Sequence, residues 1–82
     1  MSKDTSRLSR PIQPMPDDIA DRLDRAGLRA AYDGRPAYQR NDYLGWIARA
    51  KRPATRDKRT VQMLDELEAG GVYMAMKWAA QT

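Results

Sequence analysis

Apolar residues recur at helical spacing in successive blocks, and Pro or Gly punctuates each block. Ile19, Leu23 and Ala26 fall at i, i+4 and i+7, which predicts a first helix over Pro16–Ala26. Pro16 suits its entry, because a missing N–H costs nothing at a helix start. Asp17, Asp18 and Asp21 complement the positive end of the dipole, and Asp18–Arg22 and Asp21–Arg25 are spaced for i,i+4 pairs. Gly27 reads as a stop, Leu28–Tyr32 as a short second helix, and Asp33-Gly34 as a turn. In Pro36–Ala50, Tyr43, Trp46, Ile47 and Ala50 form one apolar stripe widened by Leu44 and Tyr38, predicting a third helix. Gly45 inside it costs about 1 kcal/mol relative to Ala, a sign that another backbone approaches closely there. Pro53 turns the chain into a fourth helix, Ala54–Ala69, with Val61, Leu64 and Leu67 inward and Met63 beside them, ended by Gly70-Gly71.

The two ends differ from this pattern. Residues 1–15 hold Pro11, Pro14 and several Ser and Thr with little apolar periodicity, which predicts a disordered arm. In the tail, Val72, Met74, Met76 and Trp78 alternate, the pattern of an extended segment. No second strand is evident to pair with it. It is expected to lie extended on the helices, anchored by Tyr73 or Trp78, with Met74 and Met76 packing. The chain therefore reads as all-α: a small bundle of three to four short helices spanning residues 16–71, with the disordered arm before it and a docked tail over residues 72–82.

Composition narrows the chemistry. Eighty-two residues make one small domain with a modest core. The sequence has no Cys and no His. That removes disulfides, Cys/His zinc sites, Ser-His and Cys-His nucleophile pairs and the commonest general base. No cofactor is expected, and no enzyme. No apolar run approaches the roughly 20 residues of a membrane span, and MSKDTSRLSRPIQPMP lacks the apolar centre of a secretory signal. A cytoplasmic location is expected.

The net charge of +4 is unevenly distributed. Between residues 34 and 60, eight Lys and Arg face only Asp42 and Asp57. Residues 16–33 and 61–71 are both net acidic. Arg49, Arg52, Arg56 and Arg59 are spaced three, four and three apart, flanked by Lys51 and Lys58, so they crowd the turn at Pro53. Such a corner suits an acidic protein or peptide, with Trp78 as a second contact. The plainer reading is a solvated face neutralised from within by Asp42, Asp65, Glu66 or Glu68. The alternative partner is nucleic acid, since two helices on a short turn resemble a helix-turn-helix. Against it, Gln39, Asn41 and Gln62 are too scattered to read bases. Trp46, Tyr43 and Tyr32 read as core rather than as stacking platforms. Asp17, Asp21 and Asp24 share a face that a divalent ion could use, although dipole complementation accounts for them more simply.

Residues 32–70 carry further information as motifs: the aromatic helix DYLGWIARA, the junction AKRP, the basic stretch TRDKR and the closing helix VQMLDELEAG. The combination W-I-x-x-A-K-R-P-x-T-R-x-x-R is fairly specific. It resembles the bacterial family of bacteriocin-protection, YdeI or OmpD-associated proteins, and DDIADRLDRAGLRAAYDG fits the upstream helices more loosely. The resemblance implies a small all-helical domain, often placed after another domain, linked by name to protection against bacteriocins and to an outer-membrane porin. It brings no catalytic residues. The combined expectation is a non-enzymatic interaction module that offers Arg49, Lys51, Arg52, Arg56, Lys58 and Arg59 to an acidic partner. The alternative is a small nucleic-acid-binding protein using the same corner.

Overall fold

Prolines set the entries of three of the four helices found among the described residues, 12–77, of the computed structural model. Helix α1 spans Asp17–Arg25, α2 Arg29–Asp33, α3 Ala37–Ala48 and α4 Pro53–Ala69. Pro16 and Pro36 are the N-caps of α1 and α3, and Pro53 is the first residue of α4. Their fixed φ suits the entry, and no side-chain cap supplements them. The Pro16 carbonyl accepts from the Ala20 amide at 3.0 Å, and the Pro36 carbonyl accepts from Gln39 and Arg40. The expected architecture, mostly helical with short helices, is the one found.

Two helices, α1 and α4, end at left-handed glycines. At Gly27, φ is +70°, the Leu28 amide reaches the Leu23 carbonyl at 2.9 Å, and the Gly27 amide reaches Asp24 at 3.1 Å. These are the paired bonds of a Schellman turn, which needs a left-handed residue. Gly70, at φ +83°, ends α4 in the same region, its amide bonded to the Glu66 carbonyl.

One core joins all four helices: Ile19 and Leu23 from α1, Tyr32 from α2, Tyr43, Leu44 and Ile47 from α3, Met63 and Leu67 from α4. Ile19, Leu23, Tyr43 and Met63 are fully enclosed. Trp46 is only partly buried and lies against this cluster. Helix α3 is covered on nearly every side. Gln39, Asn41 and Gly45 are buried with its apolar residues, which explains why its sequence lacks a clean polar face.

The inward face of α4 differs from expectation. Val61 is exposed and Leu64 only partly covered, while Thr60, Met63, Glu66 and Leu67 point inward. The face therefore includes two polar residues. Thr60 satisfies its hydroxyl by donating to the Arg56 carbonyl at 2.9 Å. Glu66 has a larger role, described below.

Both ends of the domain are tied down. The arm expected over residues 1–15 falls mostly outside the described residues, but its last part is docked. The Gln13 amide donates to Asn41 Oδ1 at 2.6 Å, and Met15 packs on the core. No other backbone closes on Gly45, contrary to expectation; side chains do, and a Cβ there would meet Gln13 Cγ at 3.3 Å and Arg49 Nη1 at 3.2 Å. The tail is not a single extended segment. Strands β1 (Val72–Tyr73) and β2 (Met76–Lys77) pair antiparallel, Val72 opposite Lys77 and Tyr73 opposite Met76. The turn between them is Met74-Ala75, both left-handed at φ +51° and +65°. No Gly or Asn announces such a turn, so alternation alone read as one strand. Of its two expected anchors, Tyr73 packs against the core and Trp78 lies outside the described residues.

Candidate functional site

The α3–α4 junction is built by two constraints on the backbone. Arg49 caps the C-terminus of α3, its amide bonded to the Gly45 carbonyl at 3.0 Å. Arg52, extended at φ −113° and ψ 143°, is the N-cap of α4 as Pro53 requires of its predecessor. The four-residue turn Arg49–Arg52 thus projects three cations from one corner.

The six cations expected there divide into two groups. Arg49, Lys51, Arg52 and Lys58 are exposed and join no ion pair among the described residues. Arg56 and Arg59 are used internally. Arg56 forks onto Asp18 of α1, Nη1 to Oδ2 at 2.6 Å and Nη2 to Oδ1 at 3.1 Å. Arg59 donates to the Trp46 carbonyl at 2.7 Å, and its guanidinium lies 5.3 Å from the centre of the Trp46 ring. That carbonyl is among the last four of α3, which lack helical partners. Arg59 therefore ties the C-terminus of α3 to α4 by a hydrogen bond and a cation–π contact.

The neutralising partner also differs from expectation. Asp18 takes Arg56 rather than Arg22, and Arg22 crosses to Asp57 at 2.6 Å. Two ion pairs thus stitch α1 to α4, whereas the i,i+4 pair Asp21–Arg25 forms as its spacing predicts, at 2.8 Å. Packing α1 beside α4 brings opposite charges together across the seam, and one helix's sequence cannot report that. The hydrogen bond from Arg56 holds the Asp18 carboxyl below its usual range, and Asp18 raises Arg56 in turn. Both groups are substantially exposed, so water screens the pair. Among the described residues no three carboxylates converge to hold a metal, the Asp17–Asp21–Asp24 face included.

A second polar cluster lies at the other end of α4. Glu66 is buried, and its carboxylate accepts four hydrogen bonds: Tyr43 hydroxyl at 2.5 Å, Gln62 Nε2 at 3.0 Å, and the Met74 and Ala75 amides at 2.8 and 2.7 Å. Arg35 is 5% exposed. Its guanidinium reaches Gln39 Oε1 at 3.0 Å, the Glu66 carbonyl at 3.0 Å and the Val72 carbonyl at 2.9 Å. Tyr73 donates to Asp42, and its ring meets those of Tyr38 and Tyr43 edge-on, centroids 5.9 and 5.5 Å apart. Burial pushes the Tyr43 and Tyr73 hydroxyls well above their ordinary value, and the adjoining carboxylates add to the rise. The signal for this cluster was Glu66 itself, a carboxylate inside the Met63–Leu67 stripe, together with an Arg directly before Pro36. Charge counting enters Arg35 only in the balance of its segment and Glu66 only as a partner for the basic corner.

The family model for bacteriocin-protection, YdeI or OmpD-associated proteins matches residues 14–70. The chain belongs to this family. Neither the curated proteins nor the solved structures yielded a match. The family segment opens at Pro14, where the chain docks on α3, and closes at Gly70, the cap of α4. It contains the cationic corner and Glu66, and it stops short of the hairpin. No helix among the described residues is long and apolar enough to cross a membrane.

Proposed function

We propose that this family member is a non-enzymatic interaction module and that Arg49, Lys51, Arg52 and Lys58 form the surface it offers to an acidic protein or peptide. The observation that carries this reading is the division of the corner. Arg56 and Arg59 are engaged by Asp18 and Trp46, while Arg49, Lys51, Arg52 and Lys58 are exposed and join no ion pair among the described residues. The turn between two packed helices holds the backbone positions of Arg49, Lys51 and Arg52 close together. The lack of His and Cys throughout the sequence supports a binding role over catalysis.

The test replaces Arg49, Lys51, Arg52 and Lys58 with Gln and leaves Arg56 and Arg59 intact, because those two hold helices together. Anisotropy of a labelled oligo-glutamate peptide measures capture at low salt. The fourfold variant should lose roughly tenfold or more in affinity, since exposed pairs contribute about 0.2–1 kcal/mol each. Arg25→Gln, at an α1 cation already paired with Asp21, should lose little. Equal binding by wild type and the fourfold variant would refute the assignment. If labelled duplex DNA binds instead, with affinity falling steeply between two salt concentrations, the corner is a phosphate reader.

A further inference from the structure

The carboxylate of Glu66 sits in the hairpin turn as a bound anion would. Successive backbone amides in a turn can point to one side and form a concavity that suits negative charge. Met74 and Ala75 do this here, and each gives its amide to one Glu66 oxygen. Left-handed backbone is unfavourable for residues with a Cβ, so the turn relies on what it binds. The strands have two residues each, too short to hold themselves together in water. β2 is exposed, with Met76 at 63%, and among the described residues of the hairpin Tyr73 and Met74 pack on the core. The chain reaches the hairpin through Gly70-Gly71, and beyond its own chain neighbours nothing lies within 4 Å of where a Gly70 Cβ would be. The family segment ends at this point.

We infer that the hairpin Val72–Lys77 is a latch: it opens as a unit about Gly70-Gly71 while α1–α4 stay folded, and the Glu66 carboxylate is the catch that keeps it shut. Opening bares the Tyr43 hydroxyl and the part of the α3–α4 seam now covered by Tyr73 and Met74. The groups facing the catch and the hairpin are Tyr38, Asp42 and Tyr43 on α3, Arg35 before it, Gln62 on α4, and Tyr73 on the hairpin itself. Asp42 receives the Tyr73 hydroxyl, whereas both turn amides go to Glu66. Burial pushes the Glu66 carboxyl up, but the Tyr43 hydroxyl, the Ala75 and Met74 amides and Gln62 together bring it below its ordinary 4.5. A group depressed on folding stabilises the closed state above its unfolded value and loses that effect as pH falls through the folded value. Acid therefore opens the latch.

Amide exchange of the full chain at neutral pH tests the inference. The Met74 and Ala75 amides should exchange at least roughly tenfold faster than that of Met63, because they open without the core. Glu66→Gln places an NH2 against at least one donor, so exchange at the turn should rise by a further roughly tenfold, with a smaller change at Met63. In the wild type, the Met76 methyl resonance should shift with a midpoint below 4.5 while helical ellipticity persists. Exchange at Met74 and Ala75 in step with Met63 in the wild type would overturn the latch. So would unchanged turn exchange in Glu66→Gln, or helical signal lost together with the methyl shift. The wild-type measurements decide even where the variant does not fold.

Discussion

Replacing Arg35 with Met probes the interior most directly. The substitution keeps an unbranched chain in a site that is 5% exposed and removes a guanidinium bonded to Gln39 Oε1, the Glu66 carbonyl and the Val72 carbonyl. Hydrogen bonds from a charged donor contribute about 1.5–3 kcal/mol each, and an orphaned buried acceptor costs about 1–3 kcal/mol. The three losses do not simply add. The Glu66 carbonyl keeps the Gly70 amide at 3.0 Å, and Met avoids the desolvation of a buried cation. The Val72 carbonyl and Gln39 Oε1 bear most of the damage. Together these considerations give a destabilisation of about 2–4 kcal/mol. In a domain of this size each kcal/mol lowers Tm by roughly 4–8 °C, so the melt should shift down by about 10–25 °C. Ellipticity at 222 nm during heating measures it. Arg35→Lys should fall between the two, because an ammonium cannot span the same acceptors in one plane. If Arg35→Met melted within about 3 °C of wild type, Arg35 would not be the tie between α3, α4 and the hairpin.

Two further predictions concern charge. A double-mutant cycle on Asp18→Asn and Arg56→Ala should give a coupling below about 1 kcal/mol that shrinks with added salt, because both side chains are more than a third exposed; a salt-independent coupling of several kcal/mol would contradict this. On the alkaline side, burial raises the Tyr32, Tyr43 and Tyr73 hydroxyls above the ordinary 10.0. Groups raised on folding stabilise fully below the unfolded value, and that stability declines as pH climbs past it. Unfolding free energy from urea titration should therefore drop above about pH 10. Absorbance of phenolate at 295 nm should show these three tyrosines ionising late or only on unfolding. Three hydroxyls titrating near 10 with the helices intact would show that the rings are not enclosed.

The helices were readable because their determinants are local. Pro16, Pro36 and Pro53 at the entries and Gly27 and Gly70 at the exits act through backbone geometry within a few residues. Ile19, Leu23, Tyr43 and Ile47 followed from period alone. The W-I-x-x-A-K-R-P pattern pointed to the family, because it records both the aromatic face of α3 and the turn that ends it. The crowding of cations at that turn was likewise written in their spacing.

What the sequence could not decide is which polar groups meet. The same residue type takes opposite roles in this chain: Arg52 faces water, Arg56 is ion-paired across the α1–α4 seam, and Arg35 is enclosed. Glu66 and Asp65 are neighbours, yet only Glu66 points inward, where two turn amides and a tyrosine hydroxyl await it. The Met74-Ala75 turn has no turn residues of its own, because its stabiliser is a carboxylate on another element. Periodicity and punctuation act through the chain and survive in one dimension. Charge pairing and hydrogen bonding act through space, so the division of the corner and the hairpin's catch arose only when packing set α1, α3 and the tail around α4.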